Sequence, residues 1–116
     1  IEATDSSFSV YSGDDSLTLP LLSIGSKGVV SVASHIIGKD MSTMIDLYNE
    51  GKVEEAAAIH RKIVPVVKAL FMAPSPAPVK AALAYQQLDV GSVRLPLVPL
   101  TSDEQYQLEL ALKNYE

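Results

Sequence analysis

The chain has 116 residues, of which 47% are apolar and 20% are charged, and its formal net charge is −5 at pH 7. This length allows one domain or part of a larger one. The acidic charge argues against a nucleic-acid partner, because it repels phosphate backbones, and the absence of cysteine excludes disulfides, zinc-thiolate sites and cysteine nucleophiles.

Two short β-type segments begin the chain. Residues 8–12, FSVYS, alternate in polarity and are rich in β-formers, which predicts a strand. Residues 28–34, GVVSVAS, are almost continuously apolar, which is typical of a strand covered on both faces. Asp14 or Asp15 is expected to cap a short intervening helix that stops at Gly25. We therefore predict a parallel βαβ unit whose unpaired edges need neighbouring strands.

After Gly38 the sequence favours helix. Asp40 is a good N-cap, and apolar residues then recur at helical spacing until Gly51. A second helix is predicted from Val53 to Phe71, with a kink at Pro65 because proline lacks a backbone donor. The predicted buried stripes are Met41, Met44, Ile45 and Tyr48 in the first helix, and Ala56, Ile59, Ile63, Val66, Val67 and Leu70 in the second.

Prolines separate two further helices in the last third of the chain. A proline-rich turn precedes a helix predicted at 79–87, and a second proline-containing stretch, 91–100, is expected to run extended. The final helix is predicted to begin after a cap at Thr101 or Ser102. Its expected buried residues are Leu108, Ala111, Leu112 and Tyr115.

The order of these elements predicts an α/β fold in which the end of a parallel sheet, residues 1–38, is followed by a helical region, residues 39–116. In open sheets and barrels of parallel strands, ligands bind beyond the C-terminal ends of the strands. Residues 12–14 and 31–35 lie at two such ends. We expect them to border a ligand site, because small polar residues leave room for a ligand and offer it backbone groups.

Four sequence motifs follow one another along the chain: YSGDD at 11–15, GVVSVASH at 28–35, PAPVKAAL at 76–83 and VRLPLVPL at 93–100. In order and spacing they resemble the C-terminal part of the dihydrodipicolinate synthase (4-hydroxy-tetrahydrodipicolinate synthase) family, within the N-acetylneuraminate lyase group of class I aldolases. The resemblance implies the C-terminal part of a (β/α)8 TIM barrel. Its last strands would lie in residues 1–38, an incomplete barrel, and its final helix and a C-terminal helical domain in 39–116.

The resemblance also implies an activity. Enzymes of this family condense pyruvate with aspartate semialdehyde, on the route to diaminopimelate and lysine, through a Schiff base between a lysine and pyruvate. No metal or other cofactor is expected. The implied partners are the two substrates and further copies of the chain in a homotetramer, without nucleic acid or membrane. A cytoplasmic location is expected, which the absence of cysteine fits.

Three residues receive roles from the resemblance. Gly13 and Asp14 match the strand tip beside the pyruvate pocket, and Val30 occupies the position whose backbone carbonyl lies near pyruvate. Read without the resemblance, Gly13 and Asp14 form a turn with a helix cap, and Val30 is an ordinary core valine. Both interpretations stay open at this point.

The Schiff-base lysine is not found where the resemblance places it. The family carries Ile-Lys-Glu-Ala, whereas here Ile1 is followed directly by Glu2. The lysine is therefore expected between these two residues, and no catalytic residue is assigned within the chain. Two explanations are open. Either the lysine is deleted, or it carries a covalently bound pyruvate, is therefore not a standard amino acid, and is missing from a sequence written in standard residues only. The family's N-terminal half also lacks a counterpart, so a non-catalytic C-terminal fragment that serves only in packing or assembly is the alternative.

The remaining ionisable residues receive structural interpretations. His35 is expected to be a polar loop residue, and His60 to lie on a solvated helix face. Lys80 and Arg94 lie in the shared motifs and are expected to tie helix ends or the junction of the two regions.

Overall fold

Five α-helices make up most of the regular structure, and a computed structural model describes all 116 residues. A short 3-10 helix, Asp15–Leu17, leads into α1, Thr18–Leu22. The longer helices are α2 (Ser34–Asn49), α3 (Val53–Leu70), α4 (Ala77–Tyr85) and α5 (Ser102–Tyr115). None of these helices combines the length with the apolar character that crossing a bilayer requires.

The two segments that we predicted as strands lie side by side but do not form regular strands. They run parallel, and one isolated bridge pairs Ser12 with Val29. The Ser12 N–H donates to the Gly28 carbonyl at 2.8 Å, and the Val30 N–H donates to the Ser12 carbonyl at 2.9 Å. The chain between them contains α1, so the parallel pairing of a βαβ unit is present, whereas the assignment of the two segments as strands stays a prediction.

Helix α2 begins earlier than predicted, and the prediction of Asp40 as its N-cap was wrong. The helix begins at Ser34, and only Ile37 leaves the helical region, with φ −119° and ψ 25°. The Asp15 carboxylate accepts hydrogen bonds from two N–H groups just before the helix, across 17 and 18 positions of sequence. Contacts over such a distance along the chain cannot be read from local sequence patterns. The boundary predicted after Gly38 falls inside α2, beside this distortion, and stays a prediction.

The hydrophobic core lies between α2, α3, α4 and α5. Its buried members are Ala33, Ile37, Met41, Met44, Ala56, Ile63, Val66, Val67, Leu70, Val79, Ala82, Leu108 and Leu112. The predicted buried positions are confirmed for most residues, while five are only half-buried: Ile45, Tyr48, Ile59, Ala111 and Tyr115. Helix α3 continues through Pro65 from Val53 to Leu70, and the kink expected at this proline stays a prediction. Pro65 and Arg61 are both exposed, so water can satisfy the Arg61 carbonyl that proline leaves without its helical partner.

The predicted cap of α5 is confirmed. The Thr101 Oγ1 accepts from the Glu104 N–H at 3.3 Å, and the Glu104 Oε2 accepts from the Thr101 N–H at 2.8 Å. This reciprocal pair satisfies donors that the first turn of a helix would otherwise leave unpaired. The extended stretch before Thr101 therefore ends at a defined point, and α5 packs from there against α3 and α4.

Asp40 connects three helices instead of capping one. Its Oδ2 accepts from Lys62 Nζ of α3 at 2.8 Å and from Tyr115 Oη of α5 at 2.7 Å. The Lys62 Nζ also lies 4.6 Å from the centroid of the Tyr115 ring. The hydrogen bonds from Lys62 and then Tyr115 lower the pKa of Asp40. Burial, followed by the hydrogen bond to Asp40, raises the pKa of Tyr115. Folding thus stabilises a charged carboxylate and a neutral phenol at this contact.

Asp40→Asn should lower the free energy of unfolding at neutral pH by about 1–2 kcal/mol, because it removes a charged acceptor of two hydrogen bonds. The pKa of Asp40 is depressed by folding, so its contribution is present above the ordinary carboxyl pKa and disappears as the pH falls through the folded-state value. Urea unfolding at several pH values should therefore show the wild-type and Asp40→Asn stabilities converging in acid.

Asp46→Asn is the matched control, because Asp46 lies on the same helix, is exposed and makes no side-chain hydrogen bond. It should change the free energy of unfolding by less than about 0.5 kcal/mol at any of these pH values. A difference between wild type and Asp40→Asn that stayed constant down to acid pH would show that the charge of Asp40 does not contribute.

Candidate functional site

The ends of the two parallel segments bring together the three residues that the sequence singled out. Gly13 and Asp14 follow Ser12 directly, and Val30 follows the bridge residue Val29. Because the Val30 N–H donates to the Ser12 carbonyl at 2.9 Å, the two ends lie beside each other. The structure therefore places all three residues at one edge of the paired segments, where a parallel sheet binds its ligands.

Gly13 lies in open space. A Cβ atom built at Gly13 would meet no other atom within 4 Å. Neither its N–H nor its carbonyl makes a hydrogen bond within the chain. Local packing does not require glycine at this position, so the space and both backbone groups are available to a ligand.

Asp14 caps the 3-10 helix, as one of the two sequence interpretations predicted. Its Oδ1 accepts from the Ser16 N–H at 2.8 Å and from the Ser16 Oγ at 2.6 Å. The hydrogen bond from the Ser16 side chain is the main reason why the pKa of Asp14 is lowered. The side chain is exposed. The capping role is confirmed, and a contact between Asp14 and a ligand stays a prediction.

Val30 is not a core valine in this structure. Its side chain is 76% exposed, which contradicts the interpretation made without the resemblance. Its N–H is bonded to Ser12, but its carbonyl accepts no hydrogen bond from the chain. An unpaired carbonyl beside the Gly13 tip is an acceptor that a bound molecule with a suitable donor could use.

Asp15 is the residue whose importance the sequence did not reveal. It is 2% exposed. One carboxylate oxygen accepts from the Ser31 Oγ, and the other accepts from the Val32 and Ala33 N–H groups at 3.2 Å each. The carboxylate thus joins the end of the first segment to the end of the second. The sequence did contain one signal. Asp14 is enough to cap the 3-10 helix, so the second acid of the Asp-Asp pair, Asp15, had no role as a cap and was free for another task.

The side chains of the other residues with assigned roles take no part in the hydrogen bonds of this edge. His35, expected in a loop, lies in the first turn of α2 and is exposed. His60, expected to be solvated, is half-buried, and its Nδ1 has no hydrogen-bond partner. The Lys80 Nζ donates to the Ser92 carbonyl at 2.6 Å, in line with its structural interpretation. Lys27 pairs with Val10 through its backbone and lies at the opposite end of the paired segments from Val30.

This arrangement can bind a small polar ligand, but it does not provide a nucleophile. The edge offers open space, unpaired backbone groups and two carboxylates, one capping and one buried. The chain has no cysteine, and no lysine amine makes a hydrogen bond or an ion pair at this edge. Covalent chemistry at this edge therefore needs a group from outside it.

Comparison with known proteins identifies relatives of the whole chain. Residues 1–115 match the Dihydrodipicolinate synthetase family. The chain is 67% identical over 112 residues to 4-hydroxy-tetrahydrodipicolinate synthase 1 of Halalkalibacterium halodurans, and 62% identical over 108 residues to the 4-hydroxy-tetrahydrodipicolinate synthase of Bacillus subtilis. These alignments cover 97% and 93% of this chain, but 38% and 37% of the relatives. The chain thus spans less than two fifths of their length.

Solved structures agree with this relationship. A dihydrodipicolinate synthase of Bacillus anthracis is 53% identical and superposes with a TM-score of 0.93, over 97% of this chain and 39% of that protein. The enzyme of Cyanidioschyzon merolae with lysine bound is 46% identical, with a TM-score of 0.95 over 98% of this chain and 39% of that protein. The helices and paired segments described above therefore have the fold of one part of these barrel proteins.

Gly13→Ala should change the free energy of unfolding by less than about 0.5 kcal/mol, because the added methyl group meets open space. Gly25→Ala is the matched control. Gly25 has φ +105°, and a Cβ there would lie 3.1 Å from the Ile1 Cδ1, so this variant should lose about 1–2 kcal/mol. Urea unfolding of both variants checks the difference. Equal losses would mean that the backbone, and not space for a ligand, requires Gly13.

Proposed function

Because the chain belongs to the Dihydrodipicolinate synthetase family, we propose that it forms the C-terminal part of an enzyme that condenses pyruvate with aspartate semialdehyde in lysine and diaminopimelate biosynthesis. The match over residues 1–115 carries this proposal, together with relatives named 4-hydroxy-tetrahydrodipicolinate synthase. The edge at Gly13 and Val30 supports it, because its groups suit binding and leave the covalent step to a lysine.

In this proposal residues 8–12 and 28–32 are the last two strands of a TIM barrel. Their parallel pairing supports the assignment. Neither Tyr11 nor Val29 makes a hydrogen bond through its backbone, so each segment has a free side that a neighbouring strand can pair. An apolar hollow of about 560 Å³ also lies open beside the first segment. Its lining includes Ile1, Val10, Tyr11, Leu21, Ile24 and Ser26.

The reaction requires a lysine amine that attacks the pyruvate carbonyl and forms a Schiff base with loss of water. Deprotonation of the pyruvate methyl group then gives an enamine, whose carbon attacks the aldehyde. The imine takes up the electron pair, so no metal or other cofactor takes part. Because Ile1-Glu2-Ala3 resembles the family's Ile-Lys-Glu-Ala, the lysine is expected between Ile1 and Glu2. Gly13 provides space, and the Val30 carbonyl can accept from the N–H of the protonated Schiff base, so these residues orient the pyruvate adduct, with Asp14 at the rim of the site.

Assembly and location belong to the same proposal. Family membership supports a homotetramer, and the route to lysine and diaminopimelate supports the cytoplasm. The proposal includes neither nucleic acid nor a membrane among the partners. The net charge of −5 supports the exclusion of nucleic acid, because an acidic protein repels the phosphate backbone.

A second function is favoured by one observation. Ile1 is followed directly by Glu2, without the lysine that the family carries there. A chain without that lysine would be a non-catalytic C-terminal fragment that acts only in packing or assembly. The two functions differ in whether a protein containing these residues can bind pyruvate covalently.

A chimaera separates the two functions. Residues 8–116 of this chain replace the matching part of 4-hydroxy-tetrahydrodipicolinate synthase 1 of Halalkalibacterium halodurans, whose own sequence is kept everywhere before that part. If the proposal holds, borohydride in the presence of pyruvate should add one reduced pyruvyl group, and kcat/KM should stay within about tenfold of the parent. Mass spectrometry and a coupled synthase assay give the two measurements.

The unfused chain is the control in the trapping experiment. Lys27 and Lys39 are exposed, and pyruvate bound from solution is not held beside their amines, so they should not trap it. A chimaera that folds and assembles like its parent, yet neither traps pyruvate nor turns over, would contradict the synthase proposal and support the packing fragment.

A further inference from the structure

Asp15 is a buried carboxylate without a cation beside it. It is 2% exposed and takes part in no ion pair. Burial of an ionised carboxylate is unfavourable unless several hydrogen bonds replace its water shell. Three donors provide them here, namely the Ser31 Oγ and the Val32 and Ala33 N–H groups. An exposed Ser or Asp next to the helix would cap α2 without this desolvation, so capping alone does not explain why the carboxylate is buried.

The donors to Asp15 directly follow Val30. On its other side, the Val30 N–H is held by the Ser12 carbonyl at 2.9 Å. The Ser31 Oγ also accepts from the Ser34 N–H at 2.8 Å, which holds the serine in place. Hydrogen-bonded groups therefore flank the peptide group between Val30 and Ser31 on both sides, while its own carbonyl and N–H make no hydrogen bond within the chain.

We propose that Asp15 is a positioning residue that aims the backbone carbonyl of Val30 at the pyruvate adduct through its hydrogen bonds to Ser31, Val32 and Ala33. This inference rests on the proposed function, because it takes pyruvate as the molecule that the carbonyl faces. The two acids of the Asp-Asp pair then have separate tasks. Asp14 caps the 3-10 helix at the surface, and Asp15 sets the direction of a group on the other segment.

A purely structural role for Asp15 gives a different kinetic result. If Asp15 only stabilised the start of α2, its loss would lower the folded fraction, and the remaining folded enzyme would bind pyruvate normally. A misdirected carbonyl instead weakens pyruvate binding in every folded molecule. The discriminating quantity is the pyruvate concentration that half-saturates borohydride trapping, because it does not depend on the second substrate or on the amount of active enzyme.

The test is Asp15→Asn in the full-length chimaera described above. Asparagine keeps the size of the side chain, but an NH2 group replaces one of the two acceptor oxygens. The half-saturating pyruvate concentration should rise about tenfold, the effect expected from one misaligned hydrogen bond. The KM for aspartate semialdehyde should not change.

Asp40→Asn in the same chimaera is the matched control. It is the same substitution in a carboxylate that also holds α2, at a contact with α3 and α5 away from the site. It should lower stability and leave the half-saturating pyruvate concentration unchanged. Ser31→Ala removes one donor and keeps both backbone N–H bonds, so it should raise that concentration about threefold. This variant decides the question if Asp15→Asn does not fold.

The outcomes separate the two proposals. A parent chimaera that traps no pyruvate overturns the synthase function and the role of Asp15 with it. Suppose instead that the parent chimaera traps pyruvate, and that the folded Asp15→Asn and Ser31→Ala variants have the same half-saturating pyruvate concentration as the parent. Then only the role of Asp15 is overturned. An equal rise in Asp40→Asn overturns that role as well, because general destabilisation of α2 would then explain the effect.

Discussion

The hydrogen bonds of the Asp15 carboxylate hold the candidate site together. The two parallel segments share one bridge, and the Val30 N–H is the last backbone group that joins them, so the residues beyond Val30 need another contact to stay beside the first segment. Asp15 provides that contact by accepting from Ser31, Val32 and Ala33, the residues that lead from the second segment into α2. The burial of Asp15 makes these bonds obligatory, because a carboxylate without partners in that environment would be strongly unfavourable.

The helical region has a second polar connection of the same kind. Asp40 joins α2 to α3 and α5 through Lys62 and Tyr115, while the buried apolar residues of four helices form the core between them. Helix α2 is thus held at its start by one carboxylate and in its middle by another. Helix α2 therefore belongs to both the site edge and the helical region, and a displacement of α2 would move residues in both.

The division of tasks at the site explains how a region without a nucleophile belongs to an enzyme family. Gly13 contributes space and Val30 contributes a free carbonyl, and neither contribution depends on a reactive side chain. Side-chain chemistry at the edge is limited to holding the backbone in place. In the synthase proposal the reactive amine comes from a different strand, as is usual in barrels whose sites combine the ends of several strands.

The sequence by itself determined the helices, the cap at Thr101, most buried stripe positions and the family, because these depend on local periodicity, on short-range capping and on continuous motifs. It also located Gly13, Asp14 and Val30 at segment ends. Only the tertiary structure decided the start of α2, the task of Asp40, the exposure of Val30 and the contacts of Asp15. Each of these depends on partners distant along the chain, 17 and 18 positions away for Asp15 and 75 for the Asp40–Tyr115 bond. Local sequence patterns carry no information about which of two neighbouring acids meets such a partner.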